Sequence, residues 1–192
     1  LTVLDFGGSL GSAYSQVKSQ LGGRELRWRV VEQPAFVAAG RREFPDGELE
    51  LYSSIREACA AGMPDVVLLA SVLPYLPSPA ETFSELLQIG AAWLLVDRTG
   101  FTTGGGTRLT IQHVPRSIYR ASYPCWFLDR TGFLRLAAAR HRVMADYRED
   151  IAAPGQAIFT TEPVGRYTTR DGTSFSSPLT AGVAGLLLSR TP

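Results

Sequence analysis

"VLDFGGSLGSA", residues 3–13, decides how the rest of the chain is read. An apolar run, "LTVLDF" (1–6), ends abruptly at glycines, as a buried strand does. Ser12 to Leu21 then reads as a helix stopped by Gly22 and Gly23. A glycine turn between a first strand and a first helix lies, in a doubly wound sheet, at the carboxyl ends of the strands, where ligands bind. Glycines there let a ligand come close to the backbone.

The same alternation continues. "LRWRVVE" (26–32) reads as a second strand and Pro34–Arg42 as a helix with proline at an early position. "ELELYSS" (48–54) is a third strand, followed by a short helix to Ala61. "DVVLLAS" (65–71) is a nearly continuous apolar fourth strand, Pro79–Ile89 a helix, and "AAWLLVD" (91–97) a fifth strand. Apolar strands separated by helices imply a parallel sheet covered on both faces. The expected fold is therefore α/β, doubly wound and mostly parallel. Beyond it, "TTGGGTRL" (102–109) reads as a flexible loop and "SIYRASYPCWF" (117–127) as a loop-like aromatic stretch. "GFLRLAAARH" (132–141) reads as a helix and "RVMADY" (142–147) as a sixth strand. After residue 148 the composition shifts to Thr, Ser and Gly, giving an expected division into 1–148 and 149–192, with "QAIFTTEP" (156–163) as a candidate seventh strand of the sheet.

The glycine loop is spaced Asp-x-Gly-x-Ser-x-Gly, which is not the G-x-G-x-x-G of dinucleotide enzymes. A carboxylate at the loop, Asp5, repels a pyrophosphate and suits a ligand carrying a cation. Glu32 ends the second strand, where an acid accepts hydrogen bonds from ribose hydroxyls.

Composition excludes several classes. With 19 basic and 18 acidic residues in 192 the net charge is +1, too weak a field for a nucleic-acid or membrane-surface partner. No apolar run approaches the ~20 residues of a bilayer span. Two isolated cysteines, Cys59 and Cys125, and two isolated histidines, His113 and His141, give neither a disulfide framework nor metal-ligand spacing. Reduced cysteines and no visible signal peptide point to a cytoplasmic protein. The chain starts inside a strand and reads as N-terminally truncated.

Residues 1 to about 148 resemble class I methyltransferases that use S-adenosylmethionine (SAM), and more narrowly a bacterial methyltransferase family often encoded among surface-polysaccharide genes. The resemblance is carried by "VLDFGGSLGSAY", "WRVVEQPAFVAAG", "PDVVLLASVLPYL", "LLVDRT" and "RLTIQHVPRSIYRASYPCWF". It implies that Asp5, Gly7, Gly8, Ser9 and Gly11 line the cofactor SAM, that Glu32 holds its ribose, and that Ser53 and Ser54 lie near its adenine. Ser71 would face the methionine part or the acceptor. The family normally carries a helical segment before its first strand, which this sequence does not show. For a hydroxyl acceptor a general base helps; Asp97 and His113 are the candidates. Tyr119, Tyr123 and Trp126 are expected to wall a pocket for a small-molecule or saccharide acceptor, since aromatic faces suit sugar rings.

The tail "AAPGQAIFTTEPVGRYTTRDGTSFSSPLTAGVAGLLLS" (152–189) resembles the serine segment of the subtilase family, with Ser174 at the nucleophile's position. A serine needs a base, an orienting acid and an oxyanion hole. Neither histidine stands in the His-Gly-Thr setting of that family, and the chain contains no Asn for the oxyanion site. The leading expectation is thus a SAM-dependent methyltransferase with a non-catalytic subtilase-like tail. A serine endopeptidase fragment and a non-catalytic α/β binding module are the rivals.

Overall fold

The computed structural model describes residues 1–18, 25–44, 47, 49–102, 104–114, 116 and 120–146, together with the backbone of two further strands. Five parallel strands form the central sheet: β1 (Thr2–Phe6), β2 (Arg27–Val31), β3 (Leu49–Tyr52), β4 (Val66–Ala70) and β5 (Trp93–Asp97), in the order β3-β2-β1-β4-β5. Helices α1 (Ser12–Lys18), α2 (Pro34–Glu43), α3 (Ile55–Ala60) and α4 (Pro79–Gln88) alternate with them. The strand order reverses between β1 and β4, which creates the crevice where such sheets bind ligands.

Alternation along the strands divides the core in two. Val3, Trp28, Val30, Leu49, Leu51, Val66 and Leu68 face α1 and α2, meeting Ala13, Tyr14, Val17 and Val37. Leu4, Val31, Val67 and Leu69 face α3 and α4, meeting Ile55, Ala58, Phe83, Leu86 and Leu87. Phe83 stacks on Phe133 of α5 (Arg130–Ala138) with ring centroids 4.2 Å apart, fixing α5 on this second face. Burying one such ring contributes roughly 2–3 kcal/mol. The sheet is thus doubly wound and parallel, as its apolar runs require.

Beyond β5 the structure departs from the pattern read in the sequence. The ends of the expected 102–109 loop are strands: β6 (Phe101–Thr102) and β7 (Arg108–His113). The aromatic stretch expected to be loop-like is mostly a strand, β8 (Ser122–Asp129), which pairs antiparallel with β7 and briefly parallel with β6. Pro124 is tolerated because β6 pairs with β8 only at Leu128 and Asp129. At Pro124, opposite Ile111 of β7, the far side of the strand needs no donor.

No sixth parallel strand forms over 142–146: Val143 and Met144 are exposed, and Asp146 pairs with Arg130 at the start of α5. A strand there would need a neighbour for its backbone groups, and β5 pairs only with β4 among the described residues. The candidate seventh strand also goes elsewhere. β9 (Ile158–Glu162) pairs antiparallel with β10 (Arg166–Arg170) as a separate two-stranded hairpin. The remainder of the tail lies outside the described residues.

Candidate functional site

The site grows from the end of β1. Phe6 leads into Gly7 at φ 76°, whose amide donates to Val31 O at 2.9 Å. A side chain at Gly7 would drive its Cβ to 2.4 Å from Val72 Cγ2, just past β4, so only glycine lets the two loops close on each other. Ser9 follows at φ 54°, in the left-handed region that L side chains resist.

Glu32 stands where β2 ends. Its Oε1 accepts from the Ser9 amide at 3.2 Å and its Oε2 from the Gln33 amide at 2.8 Å. The carboxylate therefore braces the glycine loop from the neighbouring strand.

Asp5, which the resemblance places at the cofactor, is held inside the fold. It is 1% exposed and lies beneath the loop, on the α1 side of the sheet. A Cβ on Gly8 would come within 2.3 Å of Asp5 Oδ2, so the loop rests directly on the carboxyl group. Trp28 Nε1 donates to Oδ2 at 3.0 Å, whereas Oδ1 has no hydrogen-bond partner. Burial pushes this carboxyl up to about 7; the Trp28 hydrogen bond lowers it and the charge of Glu32 raises it further.

The same sheet edge continues through β4 and β5. Ser71, directly after β4, is held at φ 57°, and its amide donates to Asp97 O at 3.1 Å. Arg98, directly after β5, is held at φ 47° and stands 3.5 Å from Asp97 Oδ2. Ser9, Ser71 and Arg98 are the non-glycine residues with positive φ among those described, and all three sit at the carboxyl ends of β1, β4 and β5. Backbone strain concentrates at functional sites because the surrounding structure must hold it in place.

A second group of side chains borders this edge. A single 3₁₀ turn, Leu73–Tyr75, follows β4. The Tyr75 hydroxyl donates to Gln112 Oε1 of β7 at 3.2 Å, and its ring meets Tyr123 of β8 edge-on at 5.5 Å. Trp126 Nε1 donates to Leu76 O at 3.0 Å, pinning β8 to the turn. Burial pushes the Tyr75 phenol up, neighbouring Cys125 and Tyr123 add to this, and the guanidinium of Arg98 pulls the other way. Tyr123 and Trp126 are therefore tied to the 3₁₀ turn that follows β4.

The remaining candidates separate. His113 is the exposed last residue of β7, opposite Ser122. That is six residues along β8 from Leu128, the residue that pairs with β6, or about 20 Å of strand. Ser54 Oγ accepts from the Glu57 amide at 3.2 Å, and the Ser53 amide donates to Glu57 Oε2 at 3.1 Å, so this pair starts α3 as a capping box. Tyr119 and Ser174 lie outside the described residues. Among the described residues no group of His, Cys, Asp and Glu is arranged to hold a metal, and no helix is long and apolar enough to cross a membrane. Sequence reasoning missed Trp28, Tyr75 and Gln112. Their only signal was chemical type, since the contacts that give them roles are 23 to 37 residues apart in the chain.

Comparison with known proteins divides along the chain. The subtilase family (Peptidase S8) matches residues 139–192, well under half of the sequence. Thermitase of Thermoactinomyces vulgaris is 51% identical over 41 residues, covering 21% of this chain and 15% of the peptidase. Subtilisin DY of Bacillus licheniformis is 44% identical over 43 residues, covering 22% and 16% respectively. The chain thus spans only a small part of these peptidases.

Among solved structures, Burkholderia thailandensis 1,6-didemethyltoxoflavin-N1-methyltransferase with S-adenosylhomocysteine superposes with a TM-score of 0.44 at 14% identity, over 88% of this chain and 70% of that one. The O-methyltransferase of neocarzinostatin biosynthesis, in complex with SAM, gives 0.42 at 15% identity, over 88% and 47%. Likenesses this distant add nothing to what the strand order already shows.

Proposed function

We propose that this chain transfers a methyl group from SAM to a hydroxyl of a small-molecule or saccharide acceptor. The observation that carries the reading is the pair of carboxylates at the glycine loop. Asp5 lies under the loop with an unpartnered oxygen, and Glu32 braces it from β2, both at the point where the strand order reverses. Two carboxyl groups there, one of them readily ionised by an incoming cation, oppose a pyrophosphate and suit an adenosyl ligand with a cationic amino-acid end. The residues present fit that ligand: a buried carboxyl lacks a partner on one oxygen, and an acid stands where ribose hydroxyls are held.

When bound, SAM supplies an electrophilic methyl group on a sulfonium. The chain's own residues then have separable tasks. Glu32 holds the ribose, and the backbone of Gly7 to Gly11 packs against the ligand. Ser71 orients its methionine end. Asp97, at the end of β5 with Arg98 beside it, accepts the proton of the acceptor hydroxyl. Tyr123 and Trp126, together with Tyr75, present aromatic faces to the acceptor ring. His113, exposed at the end of β7, has no task in this scheme.

The test is calorimetric titration of the chain with S-adenosylhomocysteine, in parallel with Glu32→Ala. The expected result is micromolar binding weakened at least tenfold in the variant, ~1.4 kcal/mol. A folded chain that binds nothing refutes the assignment.

The subtilase match over residues 139–192 favours one second reading, a peptidase segment with Ser174 as nucleophile. It requires an aspartate, a histidine and an oxyanion donor from outside residues 1–192. Failure of Ser174 to react with a fluorophosphonate excludes it.

A further inference from the structure

We infer that ligand binding at the glycine loop is coupled to a proton on Asp5: a ligand that brings a cation to the loop displaces that proton to solvent, and protonation of Asp5 weakens the ligand. The inference rests on the reading above for the identity of the ligand. It goes beyond that reading in making Asp5 a charge sensor under the loop rather than a fixed anion beside the cofactor.

The geometry leads there in three steps. Asp5 is sealed from water at 1% exposure, so ionising it has a large desolvation cost. One neutral donor, the Trp28 indole, compensates on Oδ2, and Oδ1 receives nothing. A carboxylate so poorly served ionises readily only when a positive charge arrives. The loop lies directly on it, since even a Cβ at Gly8 would collide with the carboxyl oxygens. A cation bound at the loop is therefore close to the carboxyl group, in surroundings that screen it little.

The other ionisable groups do not supply that charge. Glu32, at the end of β2, is itself an acid and makes ionisation of Asp5 harder. From α1 come Tyr14 and Lys18; the Lys18 ammonium stands 5.6 Å over the Tyr14 ring. From α2, Arg41 donates to Leu51 O of β3. β4 presents Val66 and Leu68, which carry no charge.

Methyl transfer removes the sulfonium charge, so the product favours the ionised form less than SAM does. Asp5 would thereby regain its proton more readily in the product complex, helping release.

The experiment has two independent readouts. In the ligand-free chain, the Trp28 indole N–H resonance is followed against pH by NMR. A one-proton transition within about one unit of 7, absent in Asp5→Asn, is expected. S-adenosylhomocysteine affinity is then measured by calorimetry from about pH 5 to about pH 9. A fall of about tenfold per pH unit below the transition is expected, absent in Asp5→Asn. Trp28→Phe, which removes the single donor, should move the affinity midpoint upward and serves if the Asn variant does not fold. An indole that shows no transition overturns the inference. A titrating indole with pH-independent affinity overturns the coupling alone and leaves the methyltransferase reading standing. No binding at any pH overturns both.

Discussion

Asp5 and Arg29 are the two buried charged residues among those described, and they sit on neighbouring strands facing opposite sides of one sheet. Arg29 is held on most sides, although its Nε makes no hydrogen bond. Its Nη1 donates to Gly62 O at 2.6 Å and Ala58 O at 3.2 Å, its Nη2 to Ala61 O at 2.8 Å, and Glu50 Oε2 lies 3.4 Å from its Nε. It closes the carboxyl end of α3, where the last helical carbonyls otherwise lack partners. Asp5 has one donor for two oxygens. A buried charge that meets an opposite charge and helix-end carbonyls belongs to the scaffold. A buried carboxyl with no opposite charge beside it, next to the crevice, marks where something else must supply one.

That contrast is easiest to break through pH. A carboxyl raised from 3.8 to about 7 on folding holds its proton more tightly in the folded chain. Its stabilisation is complete below about pH 4 and is lost as pH climbs through about 7. A shift of about three units corresponds to about 4 kcal/mol. Asp5→Asn, which keeps an acceptor for Trp28 and carries no charge, should therefore exceed the parent in stability by up to about 4 kcal/mol at about pH 8.5 and match it near about pH 4. Urea unfolding at both values checks this; an equal gap at both would show that another group titrates.

The opposite behaviour is expected across the sheet. Arg29→Met should cost about 3 kcal/mol, because it strands three helix-end carbonyls and leaves Glu50 without its cation. Unlike the Asp5→Asn effect, that loss should not follow a transition near about pH 7. Denaturant midpoints, with hydrogen exchange on α3, distinguish this from a general loosening of the core.

A smaller effect sharpens the same comparison at the strand ends. Ser71→Gly relieves a left-handed side-chain position and should raise stability by about 1 kcal/mol while weakening S-adenosylhomocysteine. A thermal melt and a titration on the same sample report the two signs; a gain in both would remove Ser71 from the site.

How far the sequence shows this contrast depends on which contacts are local. Strands β1 to β5 and helices α1 to α4 were legible because long apolar runs alternate with capped, periodic stretches. Glu32 was legible too, since its place at the end of β2 follows from counting along the chain. The burial of Asp5 was not legible. It needs the register that sets Trp28 beside Val3 on the same face. In "RWRVV" the two arginines look alike, yet Arg27 is exposed and Arg29 is buried, which only the packing of α3 explains. After β5 the reading failed for another reason. Pro124 argued against a strand, and only the one-sided pairing of β8 makes it acceptable. The sixth strand expected at "RVMADY" finds no strand to pair with among the described residues, so no ladder forms over 142–146.

The outer strand of the sheet carries a practical consequence. β5 is apolar at four of its five positions, half-buried along its whole length, and pairs on one side only among the described residues. Neither lysine nor proline interrupts it, and Asp97 stands only at its last position. Protein chains usually guard such a margin with charge, a kink or a cover, because bare strand edges recruit one another into aggregates. The colloidal behaviour of this molecule at high concentration is therefore governed by what lies alongside Trp93–Val96 as much as by the strength of its core.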